Sequence, residues 1–443
     1  MSARRPNILF ILADDLGWAD LSVYGQTSYS TPHLDRLAAQ GVRFTQAYAN
    51  SAVCSATRFA LMTGRYQYRL PGGLEEPLAG ASKAVGLPPS HPTLPSLLRD
   101  AGWRTALIGK WHLGKPPAYG PLQSGYQHFF GNLSGVIDYF THQPAAGPDV
   151  PPDLWLGDQP VTREGYYTEV LADEACAWLS AQDAAQPFFL SLHFTAPHWP
   201  WVGPEDEAIS RGLRDLQHHD GGDLATYGRM VQSLDQAVGR VLATLSARGL
   251  DEDTIVVFSS DNGGERFSKT WPFTGQKTEL LEGGLRVPTL LRWPARLAPQ
   301  VQSQVTITMD WLPTLLEAAG VPTDRDLPSD GISILPVLLG ERPPFPRTLY
   351  WRYKLHGQRA LREGDWKYLR INDNEFLFDV ARDTLERANL RERYPAVFAR
   401  LRAAWQAWDA GMLPITDEVY SHGISPARQA DRYHAQGSTG ARA

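Results

Sequence analysis

Cysteine is nearly absent: Cys54 and Cys176 are the only two in 443 residues. That excludes a fold stapled by a framework of disulfides. No apolar run is long enough to span a bilayer, so a membrane is not expected as a partner. Charges of both signs are interspersed to a net −6, with no basic stripe, and nucleic acid is not expected as a partner either. No internal repeat is present. Met1-Ser2-Ala3-Arg4-Arg5-Pro6 runs straight into a strand-like segment, with no separate apolar stretch and cleavage site. A cytoplasmic location is the resulting expectation.

What is there suits a large core. Hydrophobic residues make up 43% of the chain, and the length fits one large domain with a smaller one. Short apolar stretches at 7–12, 105–108, 188–194, 254–259 and 288–292 read as buried strands. Helical spacing fills 31–40, 93–101, 164–182 and 226–248 between them. Such alternation predicts an α/β fold: a large, mostly parallel or mixed central sheet flanked by helices. Pro343, Pro344 and Pro346 mark a boundary, dividing a catalytic unit, 1–343, from a smaller one, 344–420. In the smaller unit 348–354, 358–362, 366–371 and 375–379 read as a small antiparallel sheet, followed by a helix at 394–410. Residues 421–443 form a tail of little periodicity, either disordered or placed at a subunit contact.

Polar residues gather where the predicted strands end. Asp14 and Asp15 follow the first strand, Lys110 and His112 the second, His198 the third, and Asp261 and Asn262 the fourth. In open α/β sheets ligands collect at the carboxyl ends of strands. The oxygen-rich set Asp14, Asp15, Asp261 and Asn262 suits a hard divalent cation. Both members of Asp14-Asp15 reach one ion only if the chain turns as it leaves the sheet, which Leu16-Gly17-Trp18 permits. Cys54 stands where a helix begins, among small and polar residues that give a thiol little reason to be packed. A helix N-terminus favours anions, and Arg58 lies four residues on, along the same face. Cys176, by contrast, falls within helical spacing and reads as a packed thiol.

Taken in order, Asp14-Asp15, Cys54-Ser55-Ala56-Thr57-Arg58 with Thr63-Gly64-Arg65, Lys110-Trp111-His112, Ala196-Pro197-His198, Ser260-Asp261-Asn262-Gly263-Gly264 and the KTELLEGGLR run from Lys277 to Arg286 resemble the type I sulfatases of the alkaline phosphatase superfamily. The resemblance covers residues 6 to about 390. It implies an arylsulfatase-like sulfuric ester hydrolase in which a maturase oxidises Cys54 to formylglycine. It also implies one divalent cation, Ca²⁺ first, then Mg²⁺ or Mn²⁺, held by Asp14, Asp15, Asp261, Asn262 and residue 54. Hydrated formylglycine would attack sulfur and pass through a covalent sulfoenzyme. Arg58 would steady the hydrate, His198 and Lys277 would serve the leaving oxygen, Lys110 would meet the sulfate, and His112 would act as base. The commonest family motif has proline two residues after the cysteine; Ala56 stands there in this chain, and alanine variants occur in the family.

The substrate is less legible. Segments 71–76 and 133–140 are expected to border the cleft, with Ser134 and Asp138 as candidate substrate contacts. Glu75 and Glu76 either greet a cationic alcohol or are solvated. Trp18, Trp111, Trp199, Trp201 and Trp271 either wall the cleft or pack in the core. Two other readings share these residues: a phosphonate monoester or phosphodiester hydrolase of the same superfamily, and a non-catalytic binding homologue. A homo-oligomer is the default expectation for a soluble enzyme.

Overall fold

The computed structural model describes residues 5–78, 85–183 and 185–432. Residues 1–4 and the end of the predicted tail, 433–443, lie outside the described residues. In chain order the strands are β1 (Asn7–Ala13), β2 (Val42–Phe44), β3 (Ala47–Tyr48), β4 (Arg104–Gly109), β5 (His128–Gly131), β6 (Trp155–Leu156), β7 (Gln159–Pro160), β8 (Phe188–His193), β9 (Thr254–Ser260), β10 (Leu290–Arg292), β11 (Gln300–Gln302), β12 (Thr306–Ile307), β13 (Thr348–Tyr353), β14 (Gln358–Glu363), β15 (Trp366–Ile371) and β16 (Asn374–Asp379).

The ten-stranded central sheet runs β11-β2-β10-β9-β1-β8-β4-β5-β6-β7. Its middle, β9-β1-β8-β4-β5, is parallel. β10 runs antiparallel between β9 and β2, and β6 and β7 close the other edge antiparallel. The sheet is therefore mixed around a parallel centre.

β1 shows why the sequence folds this way. It is apolar at successive positions because it is buried on both faces. Leu9, Ile11 and Ala13 point to one layer, where they meet helices Pro32–Ala39, Tyr167–Ser180 and Leu224–Ala247. Ile8, Phe10 and Leu12 point to the other, against helices Cys54–Thr63, Leu94–Asp100 and Trp311–Ala319. The long helix starts where Asp223 accepts from the Thr226 N–H at 2.6 Å, as an N-cap should. Among the described residues no helix is long and apolar enough to cross a membrane.

β13 to β16 form the small antiparallel sheet. Helix Pro395–Asp409 covers one face through Leu401 and Trp405. The other face presents Trp351, Leu369 and Phe378 to Val53, Ala56 and Ala60 of the helix that begins at Cys54. Trp351 Nε1 donates to the Ala49 carbonyl at 2.8 Å. Behind this contact Lys367 lies fully buried, with Nζ 3.0 Å from Glu282 and 2.8 Å from Glu386. Gln358 bridges the Thr278 carbonyl at 2.9 Å and the Leu280 N–H at 2.9 Å. The small sheet thus holds the loop that carries Lys277.

Candidate active site

The parallel strands deliver their last residues to one place. Asp14 leaves β1, and Asp15 follows in the left-handed region at φ 62°. That turn brings both carboxyl groups to the same side of the sheet, as a shared ion requires. Asp261 and Asn262 leave neighbouring β9; the Asp261 N–H donates to the Ala13 carbonyl at 3.2 Å. Gly263 lets this loop touch the next, since a Cβ there would lie 2.0 Å from the Gly283 oxygen. Lys110 follows Gly109, which has φ 112° and would place a Cβ 1.9 Å from the His193 oxygen. Helix Cys54–Thr63 then points its N-terminus at the cluster from the adjoining layer.

All of these groups are buried. Lys110 Nζ contacts Asp14 Oδ2, and Lys277 Nζ is 2.7 Å from Asp15 Oδ2. Arg58 forks onto Asp261 Oδ2 through Nε at 3.0 Å and Nη2 at 2.8 Å, and donates to the Lys110 carbonyl at 3.1 Å. It therefore fixes a carboxylate and a turn of the cluster. Asn262 Nδ2 donates to Asp15 Oδ1 at 2.7 Å. Burial alone would raise the Asp14 pKa, yet Lys110, with His198, Arg58 and Lys277 behind it, holds it well below the usual carboxylate range. Burial and then the Asp14 charge push Asp261 up to about 7 against the pull of Arg58.

Two buried acceptors in this cluster, Asp14 Oδ1 and Asn262 Oδ1, have no hydrogen-bond donor among the described residues. Such atoms are costly unless something satisfies them. A hard divalent cation does so and relieves the repulsion between Asp14 and Asp261. Carboxylate and amide oxygens form the bulk of the set; Cys54 and His198 each lie within ligand reach of Asp14. Three carboxylates, Asp14, Asp15 and Asp261, already face three fixed cations, Arg58, Lys110 and Lys277. Adding a divalent cation gives the site a net positive charge, which suits an anionic ester.

Cys54 Sγ lies 3.4 Å from His112 Nδ1. His112 Nε2 is 2.9 Å from the Leu78 carbonyl, which can only accept, so Nε2 carries the proton and Nδ1 keeps its lone pair. Burial, then Lys110, drives His112 well below its ordinary pKa. Burial also pushes the Cys54 thiol up. His198 donates from Nδ1 to the Trp199 carbonyl at 2.7 Å and turns Nε2 toward Asp15 at 3.6 Å. Burial, then Lys277, lowers it to about 4.

Above this floor opens a cleft of about 670 Å³, lined by Cys54, His112, Ser134, His198 and Lys277 and walled by Pro116, Pro117, Val136 and Trp199. Lys115, a loop lysine, also lines it. Asp138 does not: its carboxylate accepts from the Phe140 and Thr141 N–H groups and from Ser210 Oγ, holding a turn away from the cleft. Of the five tryptophans near motifs only Trp199 lines the cleft. Trp18, Trp111 and Trp201 are core, and Trp271 faces solvent. Glu75 and Glu76 are not solvated; they lie buried against the segment around Tyr420.

Sequence reading missed His193, whose Nδ1 is 3.3 Å from the Lys110 carbonyl, and Glu265, 3.8 Å from Lys277 Nζ. Glu265 follows directly on Asp261-Asn262-Gly263-Gly264, which is a usable signal. Tyr420 and His422 also line the cleft, from the start of the predicted tail, and nothing local marks them.

A family model described as Sulfatase matches residues 6–321. A second, N-sulphoglucosamine sulphohydrolase, C-terminal, matches residues 275–406. The chain is 33% identical to arylsulfatase A of Homo sapiens over 392 residues, 82% of this chain and 75% of that protein. It is 34% identical to N-acetylgalactosamine-6-sulfatase of Canis lupus familiaris over 369 residues, 77% of this chain and 68% of that one. The crystal structure of Ps i-CgsB in complex with k-i-k-neocarrahexaose superimposes with a TM-score of 0.84 at 28% identity, covering 98% of each chain.

Proposed function

The chain belongs to the sulfatase family, and from that premise we propose that it hydrolyses sulfate monoesters through a formylglycine made from Cys54, beside one Ca²⁺ held by Asp14, Asp15, Asp261 and Asn262. The observation that carries this reading is the pairing of position 54 with the free lone pair of His112. A buried thiol with a raised pKa is a poor nucleophile, so the unmodified side chain is ill suited to the task. Formylglycine supplies, once hydrated, one oxygen to attack sulfur and a second whose deprotonation expels sulfate. The cation would supply Lewis-acid polarisation.

The chain's own residues do the rest. Cys54 Sγ stands in for a hydroxyl oxygen of the hydrate, and His112 Nδ1 faces it as the acceptor of that proton. Lys110 and Lys277 hold positive charge where the sulfate group arrives. Burial works against the Lys277 charge, but Asp15 raises its pKa and keeps it protonated. His198 is neutral before substrate binds, since its pKa lies near 4. The negative charge of the ester acts in the opposite sense, so proton delivery from His198 Nε2 to the leaving oxygen is coupled to binding. The apolar upper wall suits aryl sulfates as assay substrates.

The test joins mass spectrometry of the peptide containing Cys54 with paired assays of 4-nitrophenyl sulfate and an aryl phosphonate monoester. The reading expects the aldehyde and preference for the sulfate. Full activity from an unmodified thiol, or preference for the phosphonate, overturns it.

A further inference from the structure

Glu265 is a buried carboxyl that the mechanism above leaves without a task. It is 6% exposed and does not line the cleft, yet it stands beside two residues that do. Its Oε2 lies 3.8 Å from Lys277 Nζ and has no hydrogen-bond donor among the described residues. The carboxyl also takes a hydrogen bond from the Trp199 side chain. The Trp199 carbonyl in turn accepts from His198 Nδ1 at 2.7 Å, and the two ring centres are 4.5 Å apart. The loop before Glu265 is tied down. The Lys277 N–H donates to the Gly264 carbonyl at 3.0 Å, and a Cβ on Gly264 would lie 1.8 Å from Ser268 Oγ. Arg266, the adjacent cation, is engaged elsewhere: its guanidinium sits 4.0 Å from the centre of the Trp201 ring and donates to the His218 carbonyl at 3.0 Å. Lys277 is the cation that Glu265 faces. Burial raises the Glu265 pKa, and Lys277 is the largest pull the other way.

We propose that Glu265 is a positioning residue for departure of the alcohol: it aims Lys277 Nζ, and through Trp199 the His198 ring, at the oxygen that leaves sulfur. The proposal deepens the sulfatase reading above and rests on its assignment of Lys277 and His198 to that oxygen. A buried ion pair at 3.8 Å adds little to stability. What it adds is placement, because Lys277 Nζ is fixed from two sides, by Asp15 at 2.7 Å and by Glu265 at 3.8 Å. In the reading above Asp15 is shared with the cation; Glu265 is not. Such a role shows in how the rate depends on the leaving group. A 4-nitrophenolate departs with little help, because its charge spreads into the nitro group. A plain phenolate needs a proton or a cation at its oxygen as the sulfur–oxygen bond breaks. Misplaced helpers therefore slow phenyl sulfate more than 4-nitrophenyl sulfate.

The experiment compares kcat/KM on phenyl sulfate and on 4-nitrophenyl sulfate for the matured, metal-loaded wild type, Glu265→Gln and Glu265→Ala. Release of sulfate from the enzyme no longer involves the alcohol, so the ratio of the two kcat/KM values isolates its departure. Glutamine keeps the size and an acceptor for Trp199 but removes the charge; alanine removes the acceptor as well. The ratio of phenyl to nitrophenyl kcat/KM is expected to fall by about 10-fold in Glu265→Gln, and at least as far in Glu265→Ala. If Glu265→Gln does not fold, Glu265→Ala decides by the same criterion. A ratio unchanged from the wild type overturns the proposal, however far the two rates fall together, since a merely structural carboxyl would slow both substrates alike. That result leaves the sulfatase reading standing. If the wild type turns over neither sulfate, the sulfatase reading fails, and this one with it.

Discussion

Glu76 ties the segment around Tyr420 to the cleft, and replacing it with glutamine tests that role through pH. The side chain is 1% exposed, and burial raises its pKa to about 8, with Ser421 and the Lys354 N–H pulling only partly the other way. In the unfolded chain the value is near 4.5. A carboxyl whose folded pKa lies above its unfolded one stabilises fully below pH 4.5, and that contribution is lost as pH rises toward 8. At 1.36 kcal/mol per unit, the shift amounts to about 5 kcal/mol across the window. Glutamine is neutral throughout and keeps an oxygen for the Lys354 N–H at 2.8 Å and for Ser421 Oγ at 2.7 Å. Urea unfolding followed by tryptophan fluorescence at several pH values from about 4.5 to 8.5 should show the wild type losing about 5 kcal/mol relative to Glu76→Gln. Parallel stability curves for the two proteins would refute the reasoning, because they would mean that Glu76 releases its proton as readily in the fold as in the unfolded chain.

Other expectations follow from the same geometry. Cys54→Ser should accept sulfate once and then stall, seen as a single-turnover burst; sustained turnover at the wild-type rate would contradict the diol chemistry. Lys367→Met strands Glu282 and Glu386 in the interior and should cost about 3–5 kcal/mol in chemical denaturation. Chelation with EGTA should abolish sulfate release and lower the melting temperature, with Ca²⁺ restoring both; a melting temperature indifferent to chelator would count against the ion at Asp14 and Asn262. Asp138→Ala removes the acceptor for two N–H groups and Ser210, so it should lower stability by about 1–3 kcal/mol with KM preserved.

Much of this site can be read along the chain because its chemistry sits at strand ends. Asp14, Lys110 and Asp261 each follow an apolar run that can only be a buried strand, and the parallel centre of the sheet brings those ends together. Strand direction is less visible. The 288–292 segment reads as a buried strand, and nothing in its composition reveals that β10 runs antiparallel. Asp138 misleads because a carboxylate holding a turn looks, in sequence, like one reaching for a ligand. Glu76, Tyr420 and His422 are illegible for a different reason. Their meaning lies in a pairing between positions 76 and 421, and no local pattern encodes so distant a partner.

The burial of Cys54 sets a deadline. At 2% exposure the thiol is out of reach of another enzyme once the fold has closed, so the maturase that the proposed reading requires has to act before closure. Closure waits for Asp261 to receive Arg58 and for Thr278 to donate to the Ala52 carbonyl, about 220 residues after Cys54 is made. At ribosomal speeds of about 5–20 residues per second, that interval lasts roughly 10–45 s. On the formylglycine reading proposed above, faster translation of the middle of this chain is expected to leave a larger fraction of molecules folded with an unmodified thiol.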